Sequence, residues 1–549
     1  MPQKCRIHPV CIACLALMMA AAPLPAAPAS VADLDVTYIE RTPRYDYDAT
    51  KNNPDPDELV TFHGHIKNWG PGAVASVDYR WQLDDGTVAT GTLTNLSAGD
   101  ERIVTWSWSW SPDNHWIKLT VDPDNQVNEI SEANNEIENR TNGIIVGFWV
   151  EQSVYDYFHQ YQQMLGIGSN GWEDWAQRQM NKWNQLCEQA IWPDSPQGVL
   201  DRVRIDKIVV VADGALPLGP WGLPSNHPDV TDKTVDMMWG FPATLLDGSF
   251  YSNHTSLSED NPFYIEKSLI HELGHARYLI DCYGFDTHNT AHHGGHDSVQ
   301  IWEGDVYVGG SAYMPYLAWE EVLYYNQSGG VMSGPYGFQW SPYETAAFNL
   351  IAGQRACCGN YNSPGNIGVF LQDLPQNNHV RFLNQYGQPR AGANVRVYQS
   401  ENGPGWYGKT IDNTYDLELT TDAAGYAHMP ANPFADGPIE HSYGIANGVI
   451  VLRIAHNDQV WYRFMEVTDF NMEYWRGHTA DAYYTIELEG EETLPGDLDG
   501  DGDVDLADLA ALLSDYGCTG GGCPGDLDGD GDTDLADLAT LLGNYGQGT

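Results

Sequence analysis

The sequence predicts a multidomain protein in which two Ig-like β-sandwich modules flank an α+β domain, with a small all-α module at the C-terminus. Three observations support this architecture. The chain has 549 residues, too many for one hydrophobic core. Residues 30–143 and 366–490 alternate apolar and polar positions as strands do, whereas 144–358 mixes strand and helix patterns. Residues 494–549 contain an internal repeat.

Residues 1–29 have the pattern of an export signal. Lys4 and Arg6 provide the positive end, CIACLALMMAAA is the apolar stretch, and APA at 27–29 is a small-residue cleavage pattern. The alternative, a membrane anchor, needs about 18 apolar residues, and this run is shorter. We therefore predict a secreted, extracellular protein without a membrane span.

The charge of the chain excludes one class of partner. Its 26 basic and 75 acidic residues give a formal net charge of −49, whereas nucleic-acid binding needs basic patches that neutralise phosphates. We expect no nucleic-acid partner. The aspartates are concentrated between Asp497 and Asp537, where no lysine or arginine occurs. Such a concentration favours cation binding.

The cysteines outside the signal allow disulfides, because an exported protein reaches an oxidising compartment. Cys518 and Cys523 bracket TGGG and could close a small local loop. The pairing of the other four stays open, and these are Cys187, Cys282, Cys357 and Cys358.

The first module, 30–143, reads as short strands separated by turns. LVTFHGHIKNWG, SVDYRWQLDDG and ERIVTWSWSWS alternate at period two, which predicts an antiparallel sandwich of about immunoglobulin size. Trp106, Trp108 and Trp110 share one strand face, where a packed core or an inter-domain contact is favoured over a sugar-binding platform. The ending DPDNQVNEISEANNE resembles the CARDB modules of bacterial adhesion proteins.

The stretch SLIHELGHARYLIDCYGFD, residues 268–286, lies in the α+β domain and carries its candidate chemistry. On a helix, His271 and His275 lie on one face a turn apart, so both imidazoles can bind one Zn²⁺. Glu272 would stand beside the metal-bound water and act as general base. Asn261-Pro262 predicts the start of this helix.

A catalytic zinc ion needs a third protein ligand, and Asp281 is the first candidate. A straight helix would carry Asp281 about 9 Å beyond His275, so the chain must break after Ala276. This spacing is similar to HExxHxxGxxD of the metzincin proteases, although Tyr278 replaces their glycine.

A second stretch strengthens the resemblance to metzincins. SGGVMSGPYGFQW, residues 328–340, resembles their Met-turn, with Met332 beneath the metal, and SPYETAAFNLIAGQRA then predicts a helix that begins with a capping box at Ser341 and Glu344. The order of helix, aspartate, Met-turn and closing helix is nearest to the snapalysin-like group. The family implies a transition-state-stabilising tyrosine, for which Tyr336 is the candidate.

Two alternatives for the third ligand stay open. DTHNTAHHGGHD is a histidine-rich loop that could supply a ligand or hold a second metal, and a gluzincin-type site would take a glutamate from a later helix. The residues concerned are His288, His292, His293 and His296 in the loop, and Glu320 or Glu321 in AYMPYLAWEEVLYY.

The second sandwich module, 366–490, shows the same strand pattern as the first. GQPRAGANVRVY followed by TTDAAGYA resembles the regulatory-like β-sandwich that accompanies carboxypeptidases. Neither sandwich contains a reactive constellation, so both are interpreted as spacers or binding appendages.

The C-terminal repeat has the spacing of a calcium loop. GDLDGDGDVDLADLAALL, residues 496–513, recurs as GDLDGDGDTDLADLATLL, residues 525–542. Ca²⁺ requires six to eight oxygen ligands around a sharply turning loop with glycine at position 6. A disordered acidic tail is disfavoured, because the spacing is kept twice and an apolar helical pattern follows each copy. The predicted ligands are Asp497, Asp499, Asp501, Asp503, Asp505 and Asp508 for the first Ca²⁺, and Asp526, Asp528, Asp530, Asp532, Asp534 and Asp537 for the second, with Asp503 and Asp532 at the position where a backbone carbonyl would serve.

This segment, 494–549, resembles dockerin, the calcium module that binds enzymes to cohesin-bearing scaffold proteins. Leu494-Pro495 stands where an EF-hand would have its entering helix. The positions that contact cohesin in the family are Leu506-Ala507 and Leu535-Ala536, where type I dockerins often have hydroxyl residues. The resemblance implies a cohesin-bearing partner of undefined type, as in cellulosomes, and a cell-surface location through that partner.

Together these patterns predict a secreted zinc-dependent endopeptidase with a protein or peptide substrate, one catalytic Zn²⁺ and two Ca²⁺. The zinc ligands would be His271, His275 and Asp281, with Glu272 as general base. The alternative is a non-catalytic extracellular adhesion or matrix-binding protein with a degenerate zinc site. An intact Glu272 disfavours that alternative, because a structural site has no use for a base.

Overall fold

The structure is a computed structural model, and its chain forms two compact units. Unit 1 comprises Met1–Tyr283 and Asn326–Val369, and unit 2 comprises Gly284–Tyr325 and Phe370–Thr549. The predicted signal, 1–29, lies outside the described residues. The structure describes residues 31–165, 171–190, 201–216, 232–243, 265–282, 287–288, 301–303, 306–309, 330–333, 339–355, 368–401, 409–411, 414–439, 448–457, 459–488, 494–500, 503–520 and 522–547.

Unit 1 begins with the predicted Ig-like sandwich. Its seven strands are β1 Leu34–Thr42, β2 Leu59–Asn68, β3 Val74–Leu83, β4 Gly86–Leu96, β5 Glu101–Ser109, β6 Trp116–Val121 and β7 Glu136–Arg140. Antiparallel pairing gives one sheet of order β1-β2-β5 and a second of order β4-β3-β6-β7. The period-two alternation of the sequence therefore places one side of each sheet in a shared core.

The core of this sandwich is built around large aromatic side chains. Trp81 and Leu119 are fully buried, and a Cβ on Gly64 would lie 2.1 Å from the Leu119 side chain, so only glycine fits between the sheets there. Trp110 is buried, and Trp106 and Trp108 pack against the same core half-buried. The tryptophan stripe is thus a core feature, as the sequence favoured.

The α+β part of unit 1 centres on a parallel sheet of order β10-β8-β9. Its strands are β8 Ile144–Glu151, β9 Val203–Val211 and β10 Met237–Phe241. The helices are α1 Gln152–Leu165, α2 Trp172–Gln189, α3 Lys267–His275 and α4 Pro342–Ile351, with a short 3-10 turn at Val331–Ser333. Every residue of β8 is buried, as expected of a central parallel strand covered on both faces.

The N-terminal sandwich, interpreted from the sequence as a spacer or binding appendage, packs directly on this α+β part. The Asp206 carboxylate is fully buried. It accepts the backbone N–H of Arg41 at 2.8 Å and Nε of Arg44 at 3.0 Å, both from the sandwich side, and also pairs with Arg204. A buried carboxylate with several donors resists separation, because losing them would leave its charge uncompensated.

Unit 2 contains a second sandwich and the C-terminal helices. The strands are β11 Thr287–His288, β12 Ile301–Glu303, β13 Val306–Gly309, β14 Asn377–Asn384, β15 Asn394–Glu401, β16 Lys409–Ile411, β17 Leu417–Thr420, β18 Tyr426–Met429, β19 Val449–His456, β20 Gln459–Glu466 and β21 Asp481–Leu488, and helix α5 is Val467–Trp475. One sheet has the order β18-β14-β21, and the other runs β11-β16-β15-β19-β20 with β17 also paired to β15. The strands β12 and β13 form a separate antiparallel pair.

The C-terminal segment folds as two helices, α6 Leu506–Asp515 and α7 Leu535–Asn544. Leu494, Val504, Leu512 and Leu541 form its buried core. Cys518 and Cys523 form a disulfide, so the predicted local pairing is confirmed. Within the described residues, no helix is long and apolar enough to cross a membrane.

Candidate metal centre

Helix α3 carries HELGH and is shorter than the sequence predicted. It begins at Lys267, and the start predicted at Asn261-Pro262 lies outside the described residues. A tertiary contact lies at this start: the backbone N–H of Glu266, just before the helix, donates to Oε1 of Gln179 on α2 at 2.7 Å. A side chain distant in sequence therefore bonds an N–H at the helix start, as a local cap would otherwise do.

The chain turns back directly after His275, where the ligand spacing required a break. The N–H groups of Ala276, Arg277 and Tyr278 bond to the carbonyls of Leu273, Gly274 and His275 at 2.9–3.1 Å, forming a tight final turn. Tyr278 then takes a left-handed conformation with φ of 67°. Metzincin-type spacing has glycine at this position, and here a buried tyrosine adopts the conformation that glycine adopts more easily.

This turn brings the three predicted ligands together. Oδ1 of Asp281 lies 2.9 Å from Nε2 of His271 and 3.1 Å from Nε2 of His275. The three candidate ligand atoms lie within 4.8 Å of one another. His275 and Asp281 are buried, so the carboxylate faces both imidazoles away from bulk water.

The electrostatics of the cluster couple these three groups. Burial alone would lower the pKa of His275, but the Asp281 charge and hydrogen bond, with Glu272 nearby, raise it to about 9. The pKa of His271 is also raised, against the effect of burial, by its bond to Asp281. Burial would raise the pKa of Asp281, but the two imidazoles hold it well below its usual range. A metal ion entering this site must displace protons from the imidazoles, so its affinity falls with acidification.

The far nitrogens of both imidazoles are held by backbone carbonyls. Nδ1 of His271 lies 2.9 Å from the carbonyl of Val331, and Nδ1 of His275 lies 2.7 Å from that of Leu279. A carbonyl only accepts, so each Nδ1 carries the proton and Nε2 is the atom left for a ligand. Metal-binding histidines are oriented by such contacts, and two imidazoles with one carboxylate match the donor set of a catalytic zinc site.

Met332 lies against helix α3 at Gly274, within the HELGH stretch. Its side chain is fully buried, and a Cβ on Gly274 would come 2.7 Å from its sulfur. The glycine between Leu273 and His275 is therefore what lets the Met332 side chain approach the helix.

Sequence reasoning recognised Glu344 only as part of a capping box, and the structure gives it a second role. The capping box at Ser341 is present, but Oε1 of Glu344 also accepts the N–H of Met332 at 2.7 Å. Because the Val331 carbonyl accepts from His271, the peptide between Val331 and Met332 links Glu344 to a candidate metal ligand. Burial raises the pKa of Glu344 to about 7, while the N–H groups of Ser341 and Met332 act in the opposite direction.

A buried ion pair that the sequence did not reveal fixes the turn after the helix. Arg277 is fully buried, and its Nε donates to Oδ2 of Asp201 at 2.7 Å. Its Nη2 donates to the carbonyls of Ile351 and Gln354, each at 3.2 Å, at the end of α4. The N–H of Gly353 donates to the other oxygen of Asp201. Arg277 thus connects the turn after α3 to the segment just before β9 and to the end of α4.

Several predicted site residues lie outside the described residues, so the alternatives for the third ligand stay predictions. They are His292, His293, His296, Glu320, Glu321 and Tyr336, and of His288 only the backbone is described, in β11. In unit 1, His271, His275 and Asp281 form a described group that can hold a metal ion.

The two C-terminal loops bring most predicted calcium ligands together. Potential ion-binding groups form from Asp497, Asp499 and Asp508, from Asp503, Asp505 and Asp508, and from Asp526, Asp528 and Asp537. Asp501 lies outside the described residues, and Asp530, Asp532 and Asp534 lie in the second loop.

The last aspartate of each loop also organises its backbone. Oδ1 of Asp508 accepts the N–H of Leu498 at 2.7 Å, and Oδ1 of Asp537 accepts that of Leu527 at 2.6 Å. The two loops thus repeat the same contact. The pKa of Asp532 is raised by partial burial and by neighbouring aspartates, and one of its oxygens is buried without a hydrogen-bond partner. Crowded carboxylates of this kind fit a hard cation.

Comparison with known proteins identifies the N-terminal module. Residues 33–139 match the family model for CARDB, so this region is a CARDB domain, as its ending predicted. The match covers only this part of the chain. No curated protein sequence matches the chain.

Several solved structures similar to the chain each cover about a fifth of it. A CARDB domain from Pyrococcus furiosus, crystallised in complex with di-metal ions, is 24% identical, with 20% of this chain and 93% of that chain covered and a TM-score of 0.17. A solution structure of a CARDB domain from the same organism is 25% identical, with 20% and 92% covered and a TM-score of 0.16. A dioxygenase domain from Streptomyces sp. SirexAA-E is 11% identical, with 21% and 80% covered and a TM-score of 0.13.

The contact between Gly274 and Met332 generates the first prediction. In Gly274→Ala, the added Cβ overlaps the Met332 sulfur, and the unfolding free energy of unit 1 should fall by about 1–3 kcal/mol. Met332→Ala also costs stability because it leaves a cavity, but it should cost less in the Gly274→Ala chain than alone, because it removes the overlap there; denaturant unfolding measures both losses. Gly437→Ala, where a Cβ meets nothing within 4 Å, is the control. Additive effects of the two substitutions would contradict the contact.

The Glu344 link generates the second prediction. Glu344→Gln keeps the shape of the side chain, but an amide cannot accept both the Met332 and the Ser341 N–H groups. We expect a loss of about 1.5–3 kcal/mol in stability and about tenfold weaker zinc binding, because His271 loses its fixed partner. Calorimetry and zinc competition measure the two effects. Glu188→Gln, at a largely exposed carboxylate of α2, should leave both unchanged; equal values in the two variants would refute the link.

Proposed function

We propose that this protein is a secreted zinc-dependent endopeptidase that docks to a partner through its calcium-binding C-terminus. The observation that carries the proposal is the convergence of His271, His275 and Asp281, whose candidate ligand atoms lie within 4.8 Å of one another. Glu272 lies on the same helix, beside the first histidine. A structural site would need the ligands alone, whereas hydrolysis also needs a base at this position.

The described residues include the groups that peptide hydrolysis needs from the protein: three metal ligands, a general base and partners that orient the imidazoles. A zinc ion held by the three side chains would act as a Lewis acid toward a peptide carbonyl and lower the pKa of water. The Glu272 carboxylate accepts the proton of the attacking water and returns it to the nitrogen of the leaving amine. The carbonyls of Val331 and Leu279 keep both imidazoles oriented throughout.

The alternative function is that of a non-catalytic adhesion or matrix-binding protein. The CARDB domain at 33–139 and the second sandwich favour such a role, since modules of this kind occur without chemistry. In that case the metal cluster would serve only to stabilise unit 1. Both functions predict zinc binding, but only the peptidase requires Glu272.

The exposed apolar side chains of the C-terminal module support a docking role. Leu506 and Leu535, which begin α6 and α7, are 66% and 67% exposed. Leu513, Leu542, Tyr516 and Tyr545 repeat this exposure in equivalent pairs. Apolar side chains grouped on a surface mark interaction sites, and the repeat offers two equivalent faces for a cohesin-bearing scaffold protein.

The third prediction tests catalysis. Glu272→Gln should abolish cleavage of a pool of unstructured peptides, with a loss of at least about a hundredfold, because the amide cannot take a proton from water. Mass spectrometry of the products measures cleavage, and the zinc content of both proteins is determined in parallel with calcium present. Cleavage by the variant at the original rate would exclude the role of Glu272. Zinc in both proteins with cleavage by neither would favour the adhesion protein.

The fourth prediction tests docking. Leu506→Asp or Leu535→Asp alone should leave binding to recombinant type I or type II cohesin nearly intact, because the other copy can still dock. The double variant should lose binding by at least about a hundredfold, since both apolar anchors are gone. Surface plasmon resonance in calcium measures both cases. Equal binding by the double variant, or no binding of either cohesin by the unaltered protein, would contradict docking through these faces.

A further inference from the structure

The second sandwich presents a pair of histidines that the proposed peptidase does not use. His379 on β14 and His428 on β18 are directly opposite each other in the antiparallel register. Their Nδ1 atoms lie 2.7 Å apart. The rings meet edge to face with centroids 4.9 Å apart, so both nitrogens converge on one point above the sheet.

The opposite side of each ring faces a carboxylate. Nε2 of His379 lies 3.1 Å from Oδ1 of Asp481 on β21, and Nε2 of His428 lies 3.4 Å from Oδ2 of Asp422. An ionised carboxylate only accepts hydrogen bonds, so each Nε2 carries a proton. The two Nδ1 atoms then face each other, and either a proton or a metal ion between them would satisfy both nitrogens.

Such carboxylate-histidine pairs are the arrangement that orients metal-binding imidazoles. Two nitrogens bound at about 2.05 Å to one tetrahedral ion are about 3.3 Å apart, so the two rings need to separate only slightly. His428 has a 57% exposed side chain and has room to do so. The ring of Tyr483, 4.7 Å from that of His379, supports the less exposed imidazole from the neighbouring strand.

We propose that His379 and His428 form a second metal site, specific for a borderline transition-metal ion such as Zn²⁺ or Cu²⁺. Imidazole nitrogen favours these ions, whereas the oxygen-rich loops of the C-terminal module favour Ca²⁺. The two protein ligands leave positions for water, so the ion exchanges readily. Bound there, it ties β14 to β18 and stabilises the second sandwich.

Zinc titration of the full-length protein tests this site. The chain is saturated with calcium, and bound zinc is measured by dialysis against micromolar free Zn²⁺ followed by elemental analysis. The unaltered protein should bind one equivalent more than His428→Ala or His379→Ala. Asp481→Asn should keep that equivalent but bind it about tenfold more weakly, because the ring loses its orienting partner.

The matched control is His478→Ala. Its side chain is 56% exposed, similar to that of His428. Its Nδ1 lies 2.6 Å from Oε2 of Glu473, so a carboxylate occupies the nitrogen that would face the metal in the proposed pair. This variant should bind as much zinc as the unaltered protein. Equal zinc in the unaltered protein, His428→Ala and His379→Ala, or an equal loss of zinc in His478→Ala, would overturn the proposal.

The variants also separate this site from the candidate catalytic centre. Zinc should raise the thermal midpoint of the second sandwich in the unaltered protein and in His271→Ala, but not in His428→Ala. A zinc-dependent shift that persists in His428→Ala would assign the effect to another site and refute the histidine pair.

Discussion

The candidate centre depends on the chain turning back directly after His275. A helix that continued would carry Asp281 away from the two imidazoles, because each residue advances the chain by about 1.5 Å. The left-handed Tyr278 makes the reversal, and Arg277 fixes it through its buried bond to Asp201. The ligand geometry therefore requires a strained backbone conformation at Tyr278 and a buried charge pair. Both cost free energy that the surrounding packing has to offset.

The same packing connects elements that are distant in sequence. Arg277 reaches the end of α4, and Glu344 at the start of α4 reaches the peptide that accepts from His271. The closing helix thus contacts the centre from both ends, once at the turn and once at a ligand. A rearrangement of α4 would disturb both, so the ligand positions and the fold of unit 1 are coupled.

The sequence was informative where chemistry is local. The spacing of His271, His275 and Asp281 follows from helix geometry and a single turn, and the two aspartate loops repeat in adjacent segments. It was uninformative where contacts join distant residues, as between Arg277 and Asp201. The bond from the N–H of Glu266, just before α3, to Gln179 of another helix is a second such contact. The packing of the CARDB domain through Asp206 likewise joins segments that no periodicity connects.

The most direct test of the central claim is the coordination of zinc in the full-length protein, measured by X-ray absorption at the zinc edge. The His379→Ala/His428→Ala background removes the second proposed site. The account predicts two imidazole nitrogens with oxygen ligands at about 2.0–2.1 Å, and loss of one oxygen ligand or of zinc in Asp281→Ala. An identical spectrum and zinc content in Asp281→Ala would contradict the ligand set, and absence of zinc in both proteins would contradict the centre itself.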